Sequence, residues 1–255
     1  MLVTKLGVEI MQGNYTRNRG FTLIEMSIVL VIIGLVIGGV IAGKSLIQRA
    51  RIHNLASEIQ QMRMSVNAFV MQYDMMPGDL VNAGDYWPSC ASPSSLCNGN
   101  GDGVVNSSEE KYRSWQHMSL AGTLEGNYTG EPNGSGRCEI DVNTPGSTIK
   151  GGGYMFQTFS FSGWNIRFEN GLQFGSRQNV SLSACLDYAV VSPVDAFGVD
   201  KKLDEGTANN GKIVSLNGTE SGNTGCLINQ GTDNNYDLAD DNVACRMFVD
   251  LKPGS

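Results

Sequence analysis

The longest apolar run in the chain extends over residues 21–43, and its only ionisable side chain is Glu25. A helix of this length, at about 1.5 Å rise per residue, spans a hydrocarbon core of about 30 Å. A carboxylate within such a segment costs free energy unless a partner neutralises it. The pattern therefore predicts a transmembrane helix over residues 21–43 in which Glu25 has a partner.

Residues 44–76 contain neither glycine nor proline, and their apolar side chains recur at alternating spacings of three and four residues. That spacing predicts one amphipathic stalk helix, which continues the membrane helix until Pro77-Gly78. The apolar stripe consists of Ile52, Leu55, Ile59, Met62, Val66, Phe69 and Tyr73. Such a stripe suits either a coiled-coil dimer or a helix packed on the sheet of the C-terminal domain, and we favour the sheet.

The remaining residues, 77–255, mix short helical and strand patterns. Capping residues predict two helices, one from Ser107 to about Gly122 and one from Ser192 to about Leu203. Alternating apolar residues predict strands at 154–161, 164–168, 172–174, 212–216 and 244–251, with Asn-Gly turns at 170–171 and 210–211. Glycine-rich loops are predicted at 78–106 and 122–153. The chain is therefore predicted to be α+β, with a head of about 180 residues.

The charge differs between the two parts that follow the apolar run. Residues 77–255 carry 21 acidic and 11 basic side chains, whereas residues 44–76 carry four basic and two acidic ones. An acidic head without a basic cluster argues against nucleic-acid binding. The basic residues that follow the apolar run are typical of a collar that meets lipid head groups.

All six cysteines lie in the head, at Cys90, Cys97, Cys138, Cys185, Cys226 and Cys245. An even number confined to this region indicates disulfides formed in an oxidising compartment. Six cysteines allow many pairings. We favour the local pairs Cys90–Cys97 and Cys226–Cys245, which leave Cys138–Cys185.

The residues around Glu25 form an ordered string after a basic leader, Arg19-Gly20-Phe21-Thr22-Leu23-Ile24-Glu25. This string resembles the N-terminus of type IV pilins and of type II secretion pseudopilins. The resemblance implies that a prepilin peptidase cuts after Gly20 and that Phe21 becomes an N-methylated N-terminus. It also implies that Glu25 meets the N-terminal amine of a neighbouring subunit during filament assembly. The alternative is a signal anchor that carries a glutamate without this role.

The resemblance implies four parts: a cleaved leader (1–20), a transmembrane and filament-core segment (21–43), a stalk helix (44–76) and a periplasmic or extracellular head (77–255). Met1 and Met11 are both possible starts. The implied fold packs the stalk helix on an antiparallel sheet, and Cys226–Cys245 would be the family's usual C-terminal loop disulfide.

The resemblance also implies a location and a set of partners. The subunit would be stored in the bacterial inner membrane and later enter an extracellular filament. Its partners would be other pilin subunits, the prepilin peptidase, the inner-membrane assembly platform and membrane lipid. Two segments of the head, 112–122 and 195–206, are similar to stretches of larger pilin-like proteins of Gram-negative bacteria.

A loop of twelve residues in the head follows the spacing of calcium-binding loops. The ligand positions would be occupied by Asn98, Asn100, Asp102, the carbonyl of Val104, Asn106 and a bidentate Glu109. Only two of these residues are charged and no helix precedes the loop, which suits a weak Ca²⁺ site of an extracellular module. The alternative is an Asn/Gly-rich turn that caps the following helix.

The sequence offers little for an enzyme. It contains two histidines, His53 and His117, and no common nucleophile or phosphate-binding motif. We therefore predict a structural protein, a subunit of a type IV pilus or of a pilin-like filament. The alternatives are a type II secretion pseudopilin, a calcium-dependent adhesin or binding module displayed on the filament, and, least favoured, a membrane-anchored periplasmic hydrolase.

Overall fold

The computed structural model describes residues 20–91, 93–132, 137–161, 163–177, 185–218, 225–229 and 233–252. The predicted leader lies outside the described residues, apart from Gly20. The chain divides into two compact units, Met1–Leu46 and Ile47–Ser255, which we describe separately.

The long N-terminal helix is confirmed. Helix α1 (Leu23–Tyr73) begins in the first unit and ends in the second. It ends slightly before the predicted residue 76, because Asp74 adopts a left-handed backbone conformation with a φ of 56°. A residue in this conformation cannot continue a right-handed helix.

Both predicted helices of the head are confirmed. Helix α3 (Ser108–Leu120) starts with a complete capping box between Ser107 and Glu110. Helix α4 (Pro193–Leu203) is capped by the side chain of Ser192. A short helix α2 (Ala83–Tyr86) and a 3₁₀ helix (Ser94–Cys97) lie where a loop was predicted, because four residues are too few to show a helical period.

The head contains a five-stranded antiparallel sheet in the order β1-β2-β7-β4-β3. Its strands are β1 (Gly152–Phe161), β2 (Ile166–Ser176), β3 (Asn209–Asn210), β4 (Ile213–Asn217) and β7 (Cys245–Asp250), and a separate pair consists of β5 (Leu227–Asn229) and β6 (Asp233–Tyr236). The last strand of the chain therefore lies between β2 and β4. The turn predicted at Asn210-Gly211 is confirmed, and it joins β3 to β4.

The turn predicted at Asn170-Gly171 is wrong. Strand β2 runs through both residues, so the two strands predicted on either side of them are one. The pairing shifts between Gln157↔Gly171 and Phe159↔Phe168, which leaves one extra residue on β2. Asn-Gly marks a β-bulge here, because a bulge needs the same conformational freedom as a turn.

The apolar stripe of α1 packs into the core of the head. Leu55, Ile59 and Phe69 are at most 1% exposed. They share one hydrophobic cluster with sheet residues such as Tyr154 and Phe174. The interpretation of the stripe as a sheet-packing face is therefore confirmed, and the α+β fold is that of a long helix on an antiparallel sheet.

The favoured disulfide pairing is also confirmed. The bonds are Cys90–Cys97, Cys138–Cys185 and Cys226–Cys245. The third connects the start of β7 to the residue before β5, and thus fixes the second sheet to the first.

Candidate assembly site and the polar centres of the head

The apolar segment of α1 is exposed throughout. Its large side chains from Phe21 to Ile47 are between 41% and 89% exposed. Among the described helices, α1 is the one that is long and apolar enough to cross a membrane. A surface of this size needs lipid or other helices to cover it.

Four glycines lie in this segment at helix-packing spacing: Gly34, Gly38, Gly39 and Gly43. No heavy atom lies within 4 Å of the position that a Cβ would take at any of them. Glycine in a helix interior costs about 1 kcal/mol relative to alanine. The described fold gives no steric reason for these glycines, whereas close approach of a second helix does.

Glu25 lies in the first turn of α1 and is held by Thr22. The backbone N–H and the hydroxyl of Thr22 donate to Glu25 Oε2 at 2.8 and 2.7 Å, and the Glu25 N–H donates to Thr22 Oγ1 at 3.2 Å. This reciprocal capping box fixes the carboxylate at the helix N-terminus. The Thr-x-x-Glu spacing could have revealed Thr22 in the sequence.

Gly20 and Phe21 precede the first turn of α1, and both are exposed. The peptide bond between them therefore lies outside the helix, where a peptidase can bind it in an extended form. Cleavage after Gly20 and methylation of Phe21 remain predictions.

Three polar side chains of the predicted calcium loop accept from backbone N–H groups, one of them in α2 and two within the loop itself. Asn98 Oδ1 accepts from the Gly84 N–H at 2.8 Å, Asn100 Oδ1 accepts from the Asp102 N–H at 2.8 Å, and Asp102 Oδ1 accepts from the Val104 N–H at 2.9 Å. The bonds of Asn100 and Asp102 form two consecutive Asx turns, and the bond of Asn98 connects the start of the loop to α2. The geometry leaves calcium binding as a prediction.

The two remaining side-chain candidates for calcium ligands, Asn106 and Glu109, have different environments. Asn106 donates from Nδ2 to Asp102 Oδ2 at 3.5 Å, and Glu109 is exposed at the start of α3. Within the described residues, no three side chains of His, Cys, Asp or Glu are grouped as metal ligands. The predicted calcium ligands are not a group of this kind, because most of them are asparagine side chains and a backbone carbonyl.

The backbone of the same loop is held by Asp79 and Asn170, and the sequence indicated neither contact. Asp79 accepts from the N–H groups of Gly101 at 2.6 Å and Gly103 at 2.8 Å. Asn170, at the bulge of β2, accepts from the Val105 N–H and donates to the Gly103 carbonyl, both at 2.9 Å. Burial raises the pKa of Asp79, although both backbone donors oppose the rise. The loop is thus connected to the sheet.

Glu58 connects α1 to the sheet, and sequence reasoning missed it. Its Oε2 accepts from the hydroxyls of Ser147 at 2.6 Å and Tyr154 at 2.7 Å. Its Oε1 accepts from the backbone N–H of Thr148 at 3.0 Å and from the Thr148 hydroxyl. The carboxylate thereby fixes the rotation of α1 against β1 and the loop before it.

His117 has a structural role. Its Nδ1 accepts from the Gly78 N–H and its Nε2 donates to the Cys97 carbonyl, both at 3.0 Å. The ring is fully buried, and this burial lowers the pKa of His117 to about 4. The neutral imidazole joins α3 to the end of the stalk region.

A second buried polar centre lies between α4 and the strands. The Tyr236 hydroxyl donates to Asp200 Oδ2 at 2.7 Å and lies 2.8 Å from Ser215 Oγ. Asp200 and Ser215 are both fully buried. Burial raises the pKa of Asp200 to about 6. No local pattern indicates this contact, because the three residues lie in separate elements of the chain.

The N-terminal segment has a match among known families. Residues 15–41 match the family described as the prokaryotic N-terminal methylation motif. The match includes Gly20, Phe21 and Glu25, and it supports a prepilin segment like that of type IV pilins and pseudopilins. No curated protein and no solved structure matches the chain. The matched region ends within α1 and does not include the head.

Proposed function

We propose that this chain is a structural subunit of a type IV pilus or pilin-like filament, processed after Gly20 and assembled through α1. One observation carries the proposal. The prepilin motif coincides with the exposed apolar segment of residues 21–43, whose single carboxylate, Glu25, is fixed at the N-terminus of α1.

The proposed assembly step exchanges one apolar environment for another. Before assembly, lipid chains cover the exposed side chains of residues 21–43. In the filament, neighbouring helices cover them and approach one another at the glycines. The new N-terminal ammonium of Phe21 is then surrounded by apolar groups, where an unpaired charge is expensive. Glu25 of an adjacent subunit neutralises it, while Thr22 holds the carboxylate in place.

The head gives this subunit its particular role in the proposal. A disulfide-bonded head of this size is large for a filament built from one repeated subunit, which favours a minor or tip-proximal position. The close alternative is a type II secretion pseudopilin, since the same prepilin segment serves both systems. No enzymatic role is proposed.

The proposal is tested by shearing filaments from cells that make the wild-type chain or the Gly20→Leu variant. We expect the wild type in the sheared filament fraction and the variant only in the membrane, as a precursor longer by the leader. Equal amounts of both in the filament fraction would contradict the proposal. Repeating the assay in strains with only pilus or only type II secretion genes decides between the two systems.

A further inference from the structure

We propose that Asn127 is a site of N-linked glycosylation. It lies in the sequence Glu125-Gly126-Asn127-Tyr128-Thr129, which contains the Asn-x-Thr acceptor pattern. The three disulfides indicate that the head folds in an oxidising compartment, outside the cytoplasm. Enzymes that transfer glycans from lipid carriers act there. The proposal is independent of the filament function.

The local geometry presents the acceptor residues to solvent. Tyr128 is 9% exposed, and its ring packs against Trp115 with the ring centroids 6.5 Å apart. The residues on either side of it, Asn127 and Thr129, are both exposed. The loop is therefore held at its middle residue, while Asn127 and Thr129 are accessible to a transferase, and the Thr129 hydroxyl donates to the Glu131 carbonyl at 3.2 Å.

The Asn127 side chain is also free to react. Within the described part of the chain it makes no hydrogen bond. It follows Gly126, whose φ of 124° is reserved for glycine, and the Tyr128 hydroxyl donates to the Glu125 carbonyl at 3.3 Å.

This loop lies outside any helix or strand. Its backbone is anchored beside Asn127, because Ser119 Oγ donates to the Gly126 carbonyl at 2.5 Å and Gln116 Nε2 donates to the Thr129 carbonyl at 3.0 Å. A transferase therefore has to bind Asn127 as this anchored loop presents it.

Two other patterns begin at described residues, Asn106 and Asn217, and each includes a residue that stabilises a neighbouring element of the fold. Asn106 directly precedes the capping box of α3. Ser108, the hydroxyl residue of the same Asn-x-Ser pattern, is the first residue of that helix. Asn217 accepts from the N–H groups of Cys226 at 3.0 Å and Leu227 at 3.2 Å. The patterns that begin at residues 14, 133 and 179 lie outside the described residues. The structure therefore favours Asn127 over Asn106 and Asn217.

The reaction requires a lipid-linked oligosaccharide, a glycan joined through a diphosphate to a polyprenyl chain. Asn127 Nδ2 forms a bond to the anomeric carbon of the first sugar. The bond from that carbon to the diphosphate oxygen breaks, and the polyprenyl diphosphate leaves with the electron pair. A base of the transferase takes the amide proton. The exposed carboxylate of Glu125, two residues earlier, can pair with a cation of the enzyme.

The test incubates the purified, folded full chain with a bacterial oligosaccharyltransferase and a lipid-linked oligosaccharide, followed by peptide mass spectrometry. We expect the peptide with Asn127 to gain one glycan mass. Asn127→Gln and Thr129→Ala should abolish the gain and Thr129→Ser should keep it, whereas Asn106→Gln should have no effect. Glu125→Gln should slow the transfer.

Two results would overturn the proposal. If a synthetic peptide of residues 123–131 is modified but the folded chain is not, the loop is closed to the enzyme. If neither is modified while a standard acceptor peptide is, the sequence is no acceptor.

Discussion

The first unit and the head bury their apolar residues in opposite ways. Residues 21–43 expose nearly every apolar side chain, whereas the stripe of the same helix from Leu55 to Phe69 is buried in the head. The apolar side chains of the N-terminal half of α1 therefore need lipid or other subunits to cover them. Those of the C-terminal half are covered by the head of the same chain. The first half carries the family motif, and the second carries the stability of the fold.

The largest difference between the two halves is expected when one glutamate is replaced in each of them, Glu25 in the first and Glu58 in the second. Glu25→Ala should leave leader cleavage and the melting temperature of the head unchanged. It should lower incorporation into filaments by roughly tenfold or more, because the neighbouring ammonium loses its only partner. Quantitative immunoblots of sheared filaments and of membranes measure the ratio. Normal incorporation of the variant would remove Glu25 from assembly.

Glu58→Ala is the matched control on the same helix. It removes the acceptor for Ser147, Thr148 and Tyr154, and hydrogen bonds to a charged group contribute about 1.5–3 kcal/mol. We therefore expect a lower melting temperature of the head and normal leader cleavage. If Glu58→Ala impairs cleavage as well, the two halves of the helix are not independent.

A second pair of variants tests the buried stripe alone. Phe69 is fully buried and Met71, two residues later, is 88% exposed. Phe69→Ala should reduce the free energy of unfolding by about 3–5 kcal/mol through the cavity it leaves. Met71→Ala should change it by less than about 0.5 kcal/mol. Urea unfolding followed by circular dichroism measures both, and similar losses would show that α1 packs by another face.

Two of the buried titratable groups, His117 and Asp200, should make the stability of the head depend on pH in opposite directions. The folded pKa of His117, about 4, lies below its unfolded value, so its contribution is present above pH 6.5 and lost as the pH falls towards 4. The folded pKa of Asp200, about 6, lies above its unfolded value, so its contribution is present below about pH 4 and lost as the pH rises through 6. Each is of order 3 kcal/mol.

In the wild type these two contributions largely offset each other between pH 4 and 6.5. Asp200→Asn should therefore make the head more stable as the pH rises through this window, and His117→Gln should make it less stable. Melting temperatures at half-unit pH steps give the two slopes. Equal slopes in both variants would contradict the assignment of the buried groups.

The smallest effect is expected from calcium. A weak extracellular site has a dissociation constant on the order of 10⁻⁴–10⁻³ M. At about 1 mM calcium, linkage then adds between about 0.4 and 1.4 kcal/mol to the free energy of unfolding of the head. Glu109→Gln should remove most of this gain, because it halves the charge among the predicted ligands.

Asp240→Asn is the matched control for calcium, since it changes an acidic loop residue outside the predicted ligand set. It should leave the difference in melting temperature between calcium and chelator unchanged. Equal melting of the wild type in calcium and in chelator would identify residues 98–109 as a capped turn held by Asp79 and Asn170.

The sequence predicted what is local in this molecule. The stripe of α1, the capping of α3 at Ser107 and the two local cysteine pairs, Cys90–Cys97 and Cys226–Cys245, follow from spacing or neighbouring residues. It could not place β7 between β2 and β4, nor bring Asp200 to Tyr236, because these contacts depend on the path of the whole chain. Asn170-Gly171 shows the limit within a local motif, since a turn and a bulge require the same residues.

The candidate assembly site was predicted more completely than the head, because its chemistry depends on one short segment. Gly20, Phe21 and Glu25 are proposed from the order of residues, and their roles stay predictions, whereas Thr22 could have been recognised from its spacing to Glu25. Glu58 and Asp79 could not, because nothing in the sequence near them indicates the donors that they accept from.

The most direct test of the central claim is the mass and sequence of the mature N-terminus, measured on the protein purified from filaments or membranes. The account predicts a chain that begins at Phe21 and carries one added methyl group on its α-amine. A chain that begins elsewhere, or that keeps its leader when assembled, would contradict the proposal that this protein is a processed filament subunit.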